Sequence, residues 1–189
     1  VCSSDLSDHV KEKSHLDTSS EETVIFAIDN SGSTGETIKG KTADGQKKFV
    51  TRKQCVEEAI NAQLSEMIET FPNWKIGLVT FNTGVNIVGD GSSDSIIISG
   101  KDLNNYEYCL NQGLKNADKL LSETISQSSQ KITKQLKNLV ESGSTALGPG
   151  LLAAIGLAIN GKPGSMIILC TDGEANTGLG ALDRKNQSA

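Results

Sequence analysis

Asp29, Ser31 and Ser33 place one carboxylate and two hydroxyls at alternate positions in "AIDNSGSTGE", directly after the apolar run Thr23 to Ile28. Ser144 and Thr145 follow more than a hundred residues later, and Asp172 closes a second apolar run, "MIILCTDG". Collected on one rim, these side chains form an oxygen-only donor set. Such a set suits a hard divalent cation, Mg2+ above all, with Mn2+ as a substitute; Mg2+ keeps several waters and takes few direct protein ligands. Hydroxyl ligands leave the ion short of negative charge, so it seeks an anion from outside. The chemistry expected is binding through a bridging metal, with no catalytic residue.

Each motif also has a plain structural reading. Asp, Ser and Thr cap helices and close Asx-type turns by satisfying loose backbone donors, and Thr145 precedes an apolar helical stretch that it would cap. An EF-hand reading of "DNSGSTGETIKG" fails, because Thr34 stands where the turn needs Gly and Gly40 where the ion needs a bidentate Glu. An Asp-nucleophile phosphotransferase would want a second carboxylate at Ser31. A P-loop nucleotide site is read as unsupported, and "GDGSS" as a hairpin turn. His9 and His15 are the chain's two histidines and lie in its polar leader, so a Ser-His-Asp set is excluded.

The elements that must position the donors follow from hydrophobic patterning. Residues 1–22 are polar without periodicity and are expected to be a linker or arm. "TVIFAID" and "KIGLVTF" are short, continuous apolar runs suited to strands buried on both faces. A Gly-, Lys- and Thr-rich loop is expected from Thr34 to about Phe49. Val56, Ile60, Leu64, Met67, Ile68 and Phe71 carry the spacing of an amphipathic helix, stopped by Pro72. "VNIV" and "SIIIS" read as a hairpin-like edge. Two helical stripes follow, Tyr106 to Ile125 and Ile132 to Val140, with a break expected at Ser126 to Gln130. "LLAAIGLAI" predicts a helix buried on most sides, and "MIILC" another buried strand. This order implies an α/β fold with a doubly wound, mostly parallel sheet flanked by helices, whose ligands sit at the carboxyl ends of the strands.

Composition bounds the rest. The chain of 189 residues suits one domain, and its net charge of −5 argues against a general nucleic-acid binder. Lys39, Lys41, Lys47, Lys48, Arg52 and Lys53 form a local basic cluster, read first as a solvated surface and second as steering for acidic segments. No apolar run is long enough to span a membrane and no secretory pattern opens the chain, so a cytoplasmic location is expected. Cys2, Cys55, Cys109 and Cys170 are the four cysteines, without zinc-ligand spacing, and read as small core hydrophobes.

"DNSGS", then "GST", then "TDG" after an apolar strand together resemble the von Willebrand factor type A (integrin I-like) domain and its metal-ion-dependent adhesion site. The resemblance implies Rossmann-like topology and a non-enzymatic protein-interaction module. By it, Ser31 and Ser33 bind Mg2+ directly, Asp29 and Asp172 hold it largely through water, and Thr145 does either. A partner's Asp or Glu would complete the octahedron. The long basic loop resembles that of intracellular eukaryotic members. Thr34 stands where many members have Met, and the family continues beyond the "TDG" loop with further strands and helices. Residues 23–189 therefore read as a C-terminally truncated domain. The rival expectation is a regulatory or scaffolding domain of a larger protein, for example ubiquitin-related or chelatase-like machinery, with the metal site structural or empty.

Overall fold

A computed structural model describes residues 22–41 and 47–182. The expected arm over 1–22 falls outside this range except for Glu22, as do Cys2, His9, His15 and residues 42–46 of the basic segment. The expected α/β class holds: a central five-stranded sheet carries helices on both faces. Strand β1, Thr23–Asp29, is buried along its whole length and lies between β4, Lys75–Phe81, and β7, Met166–Cys170, parallel to both. Strands β5, Val85–Gly89, and β6, Ile96–Ile98, add antiparallel pairings at one edge, as the hairpin reading predicts.

The side-chain alternation of β1 sorts the core into two layers. Val24, Phe26 and Ile28 pack with Ile60 and Leu64 of α1, Arg52–Thr70, and with Ile125, Ile132 and Leu136 of α3, Ile125–Lys137. Ile25 and Ala27 face the opposite layer, with Cys109, Ala117 and Leu120 of α2, Tyr106–Leu120, and Ala153, Ala154 and Leu157 of α4, Leu147–Ala158. Each fully buried large apolar side chain stabilises the fold by roughly 1.5–3 kcal/mol, so the register of β1 is firmly set. Helices α2 and α4 meet backbone to backbone. A Cβ on Gly113 would stand 2.2 Å from the Ala153 carbonyl oxygen, and one on Gly156 would stand 2.1 Å from that of Leu110.

Four local expectations are corrected. The stretch expected as a loop from Thr34 to Phe49 instead holds a 3-10 turn, Gly32–Gly35, and an antiparallel ribbon of β2, Thr37–Lys41, with β3, Lys47–Thr51. Backbone pairing supplies that order, and a Lys- and Gly-rich composition conceals it. The helix break falls at residues 121–124, N-terminal to the Ser/Gln-rich segment; Ser128 lies inside α3, its hydroxyl donating to the Thr124 carbonyl at 2.9 Å. Helix α4 begins four residues before "LLAAIGLAI", with Pro149 in its first turn, where a missing N–H leaves no bond unmade. Strand β7 is half-exposed, with Met166 and Leu169 open to solvent, because it is an edge strand where a doubly covered one is expected.

The register brings the candidate residues to one rim. Asp29 is the last residue of β1 and pairs with Phe81, the last of β4; Ile28 pairs with Cys170, the last of β7. Thr171 therefore stands level with Asp29, and Asp172 one residue beyond it.

Candidate functional site

Three segments build the rim. The first runs from Asp29 into the 3-10 turn. The Asp29 carboxylate is buried, and its Oδ1 accepts the Ser31 N–H at 2.9 Å in an Asx-type turn, while the Thr34 hydroxyl donates to the Ser31 carbonyl at 2.7 Å. The second segment, residues 140–146, is sewn to the first: Gly32 N–H donates to the Gly143 carbonyl, Ser142 N–H to the Asn30 carbonyl, and Asn30 Nδ2 to the Val140 carbonyl. Gly143 has φ +74°, and a Cβ there would stand 2.0 Å from Thr83 Oγ1, so both backbone and space require glycine. The third segment follows β7. Its Asn176 side chain accepts the Thr145 N–H at 2.7 Å, and its backbone N–H returns to the Thr145 carbonyl at 3.1 Å.

The predicted residues converge through these segments. Ser31 Oγ lies 3.2 Å from Ser33 Oγ, and the Ser33 hydroxyl donates to Asp172 Oδ1 at 2.9 Å. The Thr171 hydroxyl donates to Asp29 Oδ2 at 2.7 Å, so Asp29 is held by both the first and the third segment. Thr145 is buried. A Cβ on Gly173 would lie 3.7 Å from Ser33 Oγ and 4.0 Å from Thr145 Oγ1, so the two hydroxyls border one point from different loops.

Thr171, Asn176 and Arg52 complete the rim and are absent from the candidates read in the sequence. Arg52, the first residue of α1, donates from Nη1 to Asp172 Oδ2 at 2.6 Å, and its Nη2 stands 3.2 Å from Glu36 Oε2. The hydrogen bond to Asp172, with Glu36 adding to it, holds the guanidinium above its ordinary value, so it is charged at every accessible pH. The sequence shows Arg52 only as one member of a basic cluster; nothing local signals its pairing across 120 positions.

Gly35 to Thr42 spells GETIKGKT and matches GxxxxGK[ST], contrary to the sequence reading that gave a P-loop no support. The match lacks its required setting. A phosphate loop joins a strand to a helix and wraps its amides about an anion. Here residues 37–41 form β2 and pair with β3, and Thr42 lies outside the described residues.

No protein-family model matches the chain. The circularly permutated Ras protein 1 of Dictyostelium discoideum is 33% identical over 180 residues, covering 86% of this chain and 21% of that protein. The chain thus spans about a fifth of the relative's length. Among solved structures, the PilB minor pilin from Streptococcus sanguinis matches 82% of this chain with 30% of its own at TM-score 0.50 and 20% identity. An aspartate-to-alanine mutant of that pilin matches 84% with 31% at TM-score 0.51 and 20% identity. These likenesses concern the fold alone.

Three expectations are corrected by these findings. The von Willebrand factor type A resemblance is set aside, since no family model carries it and the relative found is a Ras protein. The physical reason is that its motifs are short and have local work to do: Asp29 closes a turn and Ser33 ties the loops. The expectation that the chain is not an enzyme falls with that relative as well. Among the described residues no three His, Cys, Asp or Glu side chains group so as to hold a metal, so the expectation of a family adhesion site is corrected and the rim stands as a set of two carboxylates and three hydroxyls. Only two carboxylates, Asp29 and Asp172, face this rim from the candidate set, and any cation there would depend on hydroxyls.

Among the described residues no helix is long and apolar enough to cross a membrane.

Proposed function

We propose that the rim takes up one divalent cation, Mg2+ or Mn2+, on oxygens of Asp29, Ser31, Ser33, Thr145 and Asp172, and presents it to a carboxylate of a protein partner. The observation that carries this reading is the Ser31–Ser33–Asp172 chain of oxygens, spaced 3.2 and 2.9 Å and drawn from two loops. Adjacent ligands of an octahedral Mg2+ with bonds of about 2.1 Å lie about 3 Å apart, so the spacing fits the ion. The donor chemistry fits too, since the contributing groups are all hard oxygens. Ser33 would turn its proton away from Asp172 to offer a lone pair, and Asp29, fixed by Ser31 and Thr171, would contribute charge from its buried position. Two carboxylates only balance the ion, and the adjacent Arg52 adds positive charge, which favours an anionic partner over a neutral one.

Calorimetric titration of the chain with Mn2+ tests this reading. Saturable binding that Ser33→Ala weakens and Asp172→Asn abolishes is the expected result. Absence of binding to the unaltered chain, or binding unchanged in both variants, overturns it.

A second reading is favoured by the length relationship. The chain matches about a fifth of a longer protein named for Ras. On that reading it is a regulatory or scaffolding part of a multidomain protein, and the rim serves assembly. The free thiols of Cys55, Cys109 and Cys170 support a reducing, cytoplasmic setting for either role. Pull-down of the rest of such a protein by the isolated chain, insensitive to EDTA, would favour this second reading over the first.

A further inference from the structure

Arg52 holds two carboxylates that differ in every relevant respect. Asp172 presents a side chain that is 16% exposed, held on its other oxygen by Ser33; Glu36 is 64% exposed. Asp172 is thus fixed in place, whereas Glu36 is a surface side chain whose ion pair with Arg52, at 3.2 Å, is weak by the measure of exposed pairs. The base of Arg52 is itself fixed. It opens α1, its N–H donates to the Glu36 carbonyl, and the preceding Thr51 closes a capping box with Gln54. The guanidinium so anchored has Nη1 on Asp172 and Nη2 on Glu36, so its Nη2 side is the one that can pass from Glu36 to another carboxylate oxygen.

We infer that Arg52 is the second anchor for the ligand carboxylate, and that Glu36 occupies that anchor until the ligand displaces it. The inference rests on the cation site proposed above. One ligand oxygen completes the coordination of the ion on Asp172, and the other replaces Glu36 Oε2 on Arg52 Nη2. Two consequences of opposite sign follow. Arg52 repels the incoming cation and shares Asp172 with it, so it weakens cation binding; it attracts the carboxylate, so it strengthens ligand binding. A side chain with a merely structural role would not move the two affinities in opposite directions.

The test uses the chain, Mn2+ alone, and 13C-labelled acetate whose resonance broadens when it approaches bound Mn2+. Arg52→Gln is expected to lower the Mn2+ dissociation constant about three- to tenfold and to raise that of acetate by a similar factor. Glu36→Gln is expected to lower the acetate constant about two- to fivefold, because the competing carboxylate is gone. Both substitutions lie at the surface, and an unchanged urea midpoint in EDTA verifies the fold. Mn2+ binding with acetate unaffected by Arg52→Gln, or both constants moving the same way, overturns this inference and leaves the cation site standing. No Mn2+ binding by the unaltered chain overturns both.

Discussion

The Thr171 hydroxyl donates to Asp29 Oδ2 at 2.7 Å, joining the ends of two neighbouring parallel strands through a buried carboxylate. Asp29 has its other oxygen on the Ser31 N–H, so both oxygens are engaged by protein donors. Removing one donor leaves part of a buried charge unsatisfied, which costs more than the net worth of the bond. Thr171→Val is therefore expected to destabilise the chain by about 1–3 kcal/mol in urea unfolding with EDTA present. Thr177→Val, which removes a hydroxyl bonded to Ser144 at the same rim, should cost less because that pair is not charged. Equal losses in the two variants would show that Asp29 does not depend on Thr171.

Close approach of α2 and α4 rests on Gly113 and Gly156. A methyl group on Gly113 would meet Ala153 oxygen at 2.2 Å and Leu157 nitrogen at 2.7 Å, all backbone, so no side chain can give way. The helices must separate or the new residue must distort. Gly113→Ala should cost about 2–4 kcal/mol despite alanine's better helix propensity. Gly100→Ala supplies the contrast: nothing stands within 4 Å of its would-be Cβ, and only its φ of +60° opposes substitution, for roughly 1 kcal/mol. Urea midpoints in that order are the expected readout.

Much of the frame was legible because burial writes itself into residue type. "TVIFAID" and "KIGLVTF" coincide with β1 and β4, and their neighbouring position places Asp29 at a strand end. The candidate oxygens were legible for the same reason, since each follows a readable strand or precedes a readable helix. The β2–β3 ribbon was not, because its order comes from paired backbone and its sequence, rich in Lys, Thr and Gly, carries no apolar alternation. The start of α3 does carry a local signal: Thr124 and Gln127 have capping-box spacing, and Gln127 Oε1 accepts the Thr124 N–H at 3.0 Å. Arg52 on Asp172 had none, since a contact over 120 positions between two ordinary charges leaves no local trace.

Thr51 links the ribbon to α1 and offers a direct measure of that cap. Its hydroxyl accepts the Gln54 N–H at 3.1 Å, and Gln54 Oε1 accepts the Thr51 N–H at 2.9 Å. Thr51→Ala should lower stability by about 1 kcal/mol. If Arg52 depends on this cap for its aim, the same variant should also reduce acetate binding in the presence of Mn2+. Lost stability with acetate affinity retained would place the aim of Arg52 in its contact with Asp172 alone.

Two thiols give the chain a pH dependence whose sign can be worked out. Burial raises the Cys109 thiol above its ordinary range, with the nearby Asp102 charge adding to the effect, and burial likewise raises Cys170. In the unfolded chain both ionise from about pH 8.5 upward. The folded chain keeps these protons to higher pH, so in that window the unfolded state binds fewer protons and stability falls as pH rises. Below the ordinary thiol range both states are protonated and the two thiols contribute no slope. A double variant, Cys109→Ala with Cys170→Ala, should lose stability at every pH through the space it leaves. Its shortfall relative to the unaltered chain should shrink between pH 8 and pH 10. A shortfall that stays constant over that range would show that the two thiols ionise alike in the folded and unfolded chain, and that the alkaline slope belongs to other groups.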